Sequence, residues 1–226
     1  MREEILELLR ANERHAEAFD ARFDGLEDHQ QPDVVTVCCS DSRVLQDHIW
    51  ENHDPGEIFT CSNIGNRVVQ RTDGDEVVSG DVLYPLAHTE TKTAVVVGHS
   101  GCGAVTATYD SLTDGVDEPP GIEHCLSLLE PHLADGVDRL PDGLDRRDAV
   151  NHLVEYNVDR QVDALLDDDD VPDDVTILGV VYDFQHAYDG RRGEVHVVNV
   201  DGERDPEALA SAHPEITERI ERRWTY

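Results

Sequence analysis

Five residues have side chains suited to metal and acid–base chemistry at telling spacings: Cys39, Asp41 and Arg43 in one stretch, His99 and Cys102 in another. Thiolate sulfur and imidazole nitrogen suit zinc, which takes four ligands at tetrahedral angles. Cys39, His99 and Cys102 would supply three and leave the fourth position to water, as a catalytic rather than structural site requires. Bound there, the metal would lower the pKa of its water towards ~7. Asp41 and Arg43 can form a bidentate pair that fixes a carboxylate beside that opening. Each feature alone also has a plainer explanation. A strand cysteine is ordinarily a small buried hydrophobe, His-x-x-Cys arises by chance, and Asp41–Arg43 could be a loop salt bridge.

Both stretches end apolar runs, which points to the elements that must position them. Val34-Val35-Thr36-Val37-Cys38 leads into Cys39, and residues 93–98 lead into His99 and a glycine turn. β-branched runs closing on reactive side chains read as buried strands delivering chemistry at their carboxyl ends, where open parallel sheets place ligands. Alternation along the first strand turns Cys38 to the face opposite Cys39, so both should not bind one metal. Cys38, Cys61 and Cys125 are expected to be buried thiols.

Along the rest of the chain, residues 2–24 space Ile5, Leu8, Leu9, Ala16, Phe19 and Phe23 as an amphipathic helical arm. The pattern predicts strands at 34–39, 57–62, 93–98, 175–182 and 194–200. It predicts helices at 46–52, 80–91 behind a Ser79 cap, 103–112, 122–133, 146–166 and 206–223. Asp167–Asp170 reads as a solvated loop, and Asp189-Gly190 as a turn joining the last two strands into a hairpin. The predicted architecture is a single α/β domain over 1–226. It has a mainly parallel central sheet with one antiparallel edge strand, flanked by helices, and an N-terminal helical arm at 1–24.

Composition narrows the partners. Eighteen Lys and Arg face fifty Asp and Glu, a formal net charge of -32, and Lys92 is the only lysine. Phosphates would be repelled, which argues against nucleic acid. Periodic apolar segments argue against an acidic disordered chain. The better reading is a carboxylate-coated surface that needs high salt for screening, as in a halophile. No run of about twenty apolar residues suggests a membrane span. Residues 1–7 lack the basic start and apolar core of a signal peptide, and the odd count of five cysteines argues against a disulfide framework, so the cytoplasm is the expected location.

Cys39-Ser40-Asp41-Ser42-Arg43 with His99-Ser100-Gly101-Cys102-Gly103 resembles the signature of the β-class carbonic anhydrases. The likeness extends over Pro55–Phe59 and Asn63–Asn66, and more faintly over Gly179–Asp183. The resemblance implies a zinc enzyme interconverting carbon dioxide and bicarbonate through zinc-bound hydroxide. Cys39, His99 and Cys102 would be the ligands and Asp41 and Arg43 the catalytic dyad. Ile64, Gly65 and Gly103 would line the substrate pocket. It also implies a homodimer or a dimer of dimers, with the N-terminal arm laid across a partner subunit. Some relatives are inactive when the aspartate takes the fourth zinc position, so Asp41 is a candidate for that role.

Three positions depart from the pattern: Ser62 where many relatives have arginine, Asp54 where plant-like members have glutamine, and Thr36 where members with a regulatory bicarbonate site have tryptophan. No such site is therefore expected. His48, His53 and His124 could relay protons but read more simply as surface residues. Two other functions fit part of the pattern: a hydrolase of carbonyl sulfide or carbon disulfide on the same fold, and a non-catalytic zinc-binding interaction protein. The latter would want a fourth Cys or His in place of the Asp–Arg pair.

Overall fold

A computed structural model describes residues 2–17, 23, 25–26 and 28–226. Its centre is a five-stranded sheet in the order β2-β1-β5-β6-β7, built from β1 (Val34–Cys39), β2 (Ile58–Asn63), β5 (Thr93–His99), β6 (Thr176–Asp183) and β7 (Glu194–Val200). β1 pairs in parallel with β2 on one side and β5 on the other, β5 pairs in parallel with β6, and β7 closes the edge antiparallel to β6. The chain thus leaves β1 towards one side and returns as β5 on the other. The carboxyl ends of β1 and β5 are neighbours at the point where the strand order reverses, the usual location of a ligand crevice in such sheets.

β1 and β5 are apolar on both faces because both faces are covered. Val35, Val37, Cys39, Ala94 and Val96 join the larger core, while Cys38, Val95 and Val97 join a second cluster with Val180 and Val197. Cys38 and Cys39 do face opposite ways, and all five cysteines are free. The larger core is closed by α3 (Gly80–His88), α4 (Gly103–Thr113), α6 (Glu130–Arg139) and the 21-residue α7 (Arg146–Leu166), with α5 (Pro120–Ser127) packed on α4 and α6. The second is covered by the short α2 (Gln46–Ile49) and the chain's C-terminal turns. α7 starts at Asp145, whose side chain accepts from Asp148 N–H, the usual N-cap arrangement. It is buried on nearly every side.

Several boundaries differ from the sequence-based reading. One helix expected at 122–133 is two, because Pro131 has no N–H to continue the ladder and instead sits in the first turn of α6. The final helix stops early, as α8 (Pro206–Ala212). His213 precedes Pro214 and leaves the helical region, with φ of -128° and ψ of 65°, and a 3-10 turn follows at Pro214–Arg219. β6 and β7 are joined by residues 184–193 rather than a tight Asp189-Gly190 turn. An additional hairpin, β3 (Val69–Thr72) with β4 (Asp75–Val78), turns at Asp73-Gly74 with φ of +53° and +98°, the left-handed pair that Asp-Gly favours. Cys125 is half-buried, its Sγ 4.0 Å from Arg67 Nη2. Within the Asp167–Asp170 loop, Asp168 accepts from Val78 N–H. The N-terminal arm is helical as α1 (Glu3–Glu17); residues 18–22 and 24, including Phe19, lie outside the described residues.

Candidate metal centre

β1 ends on Cys39 and β5 on His99. After the Ser100-Gly101 turn, Cys102 becomes the residue immediately before α4. The three ligand atoms lie within 4.8 Å of one another, and among the described residues this is the one such group of three or more His, Cys, Asp or Glu. The sulfurs of Cys39 and Cys102 are 3.9 Å apart. Two zinc–sulfur bonds of about 2.3 Å at a tetrahedral angle span about 3.8 Å. His99 is 0% exposed, its Nδ1 lies 3.2 Å from the Ser100 carbonyl, and its Nε2 has no hydrogen-bond partner. A buried imidazole nitrogen left bare is costly unless a ligand meets it, and anchoring the other nitrogen on a carbonyl is how proteins fix a metal-binding tautomer. The donor set therefore fits zinc.

The surroundings favour thiolate. Cys39 is pushed down to about 4, first by the hydrogen bond from Cys102, against burial, with further help from His99 and the Gly65 N–H. Cys102 moves up, by that same hydrogen bond and by burial, while the Ala104 and Val105 N–H groups of α4 pull the other way. The hydrogen bond between the sulfurs thus lowers one thiol and raises the other, and the helix end and backbone N–H groups supply positive potential for negative charge on the pair.

Asp41 and Arg43 face this group from the loop after β1. Arg43 donates through Nε to Oδ1 at 2.8 Å and through Nη2 to Oδ2 at 2.6 Å, and its own N–H reaches Oδ1 at 2.9 Å. This fork holds the Asp41 carboxyl well below the usual carboxylate range, against burial. Arg43 also reaches the Gly101 carbonyl at 3.3 Å. Asp41 Oδ2 is 3.9 Å from His99 Nε2. The carboxylate stands beside the ligand cluster, with both oxygens committed to arginine.

Of the expected pocket residues, Gly65 is buried, with φ of +84° and its N–H on the Cys39 sulfur. A Cβ there would come 2.5 Å from Leu129 Cδ1. Ile64 is 42% exposed and Gly103 is the exposed first residue of α4. His48, His53 and His124 are exposed. Thr36 and Ser62, two of the departures, are joined through buried Gln46, which accepts from Thr36 at 2.6 Å and donates to Ser62 at 2.6 Å.

Sequence reasoning missed the residues that brace the site. Asn151 on α7 accepts from the Gly101 N–H at 2.9 Å, and Asn157 donates to the Gly65 carbonyl at 3.1 Å. Ser100 Oγ accepts from Phe184 and Gln185 N–H. Polar residues in a long helix read as a solvated face. The one available signal was that Asn151, Asn157 and Gln161 recur among valines and leucines.

The carbonic anhydrase family model matches residues 34–190. A carbonic anhydrase of Helicobacter pylori is 31% identical over 134 residues, 57% of this chain and 59% of that protein. One from Pseudomonas aeruginosa is 36% identical over 149 residues, 65% of this chain and 66% of that protein. These matches span about three fifths to two thirds of those relatives' length. In fold, a tetrameric β-carbonic anhydrase from the ascomycete Sordaria macrospora superposes with a TM-score of 0.73 at 22% identity, over 88% of this chain and 98% of that one.

Proposed function

The chain belongs to the carbonic anhydrase family, with the β-class fold, and from that premise we propose that it is a zinc enzyme catalysing reversible hydration of carbon dioxide to bicarbonate and a proton. The observation that carries this reading is the bare, buried Nε2 of His99 beside two cysteines 3.9 Å apart, with the Asp41 carboxylate 3.9 Å from the same nitrogen. Cys39, His99 and Cys102 would hold the metal. When bound, zinc makes hydroxide available near neutral pH. Asp41, kept ionised by Arg43, would accept a hydrogen bond from the oxygen that attacks the substrate and so orient it towards the carbon. The Arg43 fork occupies both carboxylate oxygens, so Asp41 would stand beside the metal rather than ligate it. Ile64, Gly65 and Gly103 would line the pocket for a small, linear substrate.

An oligomer suits the rest of the chain. α1 presents Ile5, Leu8 and Leu9 at 46%, 71% and 58% exposed, and an apolar stripe of this kind is covered when it packs across a partner subunit. A homodimer or a dimer of dimers is the assembly proposed, in a cytoplasmic, salt-adapted enzyme from a halophile. No described helix is long and apolar enough to cross a membrane.

Stopped-flow hydration of carbon dioxide in molar potassium chloride tests the proposal. A rate that rises in proportion to zinc content supports it. A zinc-loaded protein no faster than buffer overturns it, and faster turnover of carbonyl sulfide would move the assignment to the related hydrolases.

A further inference from the structure

The metal cluster and the dyad are tied together by a residue that belongs to neither motif, Phe184. Its N–H and that of Gln185 each donate to Ser100 Oγ at 3.1 Å, lacing the segment after β6 to the His99 turn. Asp183, fully buried, fixes the same segment by accepting from the N–H groups of Gln185, Ala187 and Tyr188. Tyr188 in turn donates to buried Glu155 on α7 at 2.7 Å. Held this way, the Phe184 ring stacks on the His99 imidazole, with centroids 5.6 Å apart and planes at 23°. The same ring lies 4.6 Å from the guanidinium carbon of Arg43.

Arg43 needs such a support. Its side chain is 50% exposed, so water competes for its donors and its flexible stem costs entropy to hold. An aromatic face within about 6 Å attracts a guanidinium and prefers it in a defined orientation. The plane of that group sets the direction of both N–H bonds to Asp41. We propose that Phe184 is a positioning residue: its ring fixes the plane of Arg43 and, through the bidentate fork, the place of Asp41 beside the metal. This rests on the hydration-site reading above. An aliphatic side chain would fill the space but offer no π face.

The test compares the zinc-loaded full chain with Phe184→Leu, Phe184→Met and Phe184→Tyr in molar salt. The readouts are solvent exchange of the Arg43 Nε–H by NMR, zinc content, and kcat and KM for hydration. In the Leu and Met variants the Nε–H should exchange about two- to fivefold faster. kcat should fall by a similar factor, with KM and zinc unchanged, and Tyr should restore both. Unchanged exchange in whichever of the Leu and Met variants folds overturns the proposal. So does loss of zinc with unchanged exchange, which would place the ring's role at His99 alone. If the parent protein shows no hydration, the functional reading fails, while the exchange of Arg43 still decides the role of Phe184.

Discussion

At His99 the difference between an ordinary core histidine and a ligand lies in what faces its bare Nε2: both nitrogens of buried His196 also lack a hydrogen-bond partner, but only His99 stands with two cysteine sulfurs 3.9 Å apart. That distinction is invisible in sequence, where His-x-x-Cys is common. The cysteine types and spacings were legible, and so was the Asp41–Arg43 fork, because its partners are two residues apart. A second buried group makes its own prediction. Glu155 accepts from Tyr188 O–H and from the N–H groups of Arg223 and Trp224, which tie down the C-terminal segment. Burial pushes it up to about 7 against those donors. A carboxyl raised above its unfolded value of 4.5 gives stability that is complete below that value and is lost as pH rises through about 7. Relative to Glu155→Gln, the parent protein should therefore lose about 3 kcal/mol of stability between pH 4.5 and 8. Urea unfolding of both proteins across that range measures this, and parallel profiles would contradict it.

At the scale of elements, the site is placed by two strand ends and braced by α7. β1 and β5 were legible because a strand buried on both faces must be apolar throughout, and no other segment carried such runs into reactive residues. α7's role was not, because its polar side chains serve loops far away in the chain: Asn151 holds Gly101 and Asn157 holds Gly65, fifty and ninety-two residues away. The same distance hid the tie of the segment after β6 to Ser100, whose hydroxyl accepts from N–H groups 84 and 85 residues away, while Asp183 braces that segment locally. Proline positions, by contrast, carried usable signals that the helical apolar pattern overrode at α6 and α8. Gly65 is the sharpest test of this level. Its φ of +84° and its contact with Leu129 both exclude a side chain. Gly65→Ala should lower stability by about 1–3 kcal/mol from backbone strain alone. It should also weaken zinc retention by displacing the N–H that meets Cys39. Thermal unfolding and metal titration check both, and a variant matching the parent would contradict the account.

Over the whole molecule, a net charge of -32 sets the conditions under which any of this operates. Self-repulsion among carboxylates is screened over about 10 Å at 0.1 M salt and about 3 Å at 1 M. The melting temperature should therefore rise with potassium chloride from 0.1 M to molar concentrations. A flat profile would remove the case for salt adaptation. Assembly is the other property of this scale. Deleting residues 1–17 removes the exposed leucines of α1 and should shift sedimentation in molar salt to a smaller species. Unchanged sedimentation would show that the arm does not hold subunits together.

In the proposed reading the two motifs form separate devices, one binding zinc and one governing the attacking oxygen. Zinc content and stopped-flow hydration measured on one preparation of Asp41→Asn test it most directly. The account predicts about one zinc per chain with hydration slowed about a hundredfold or more, the usual scale for losing a charge-positioning contact. Full hydration activity with asparagine at this position would contradict it.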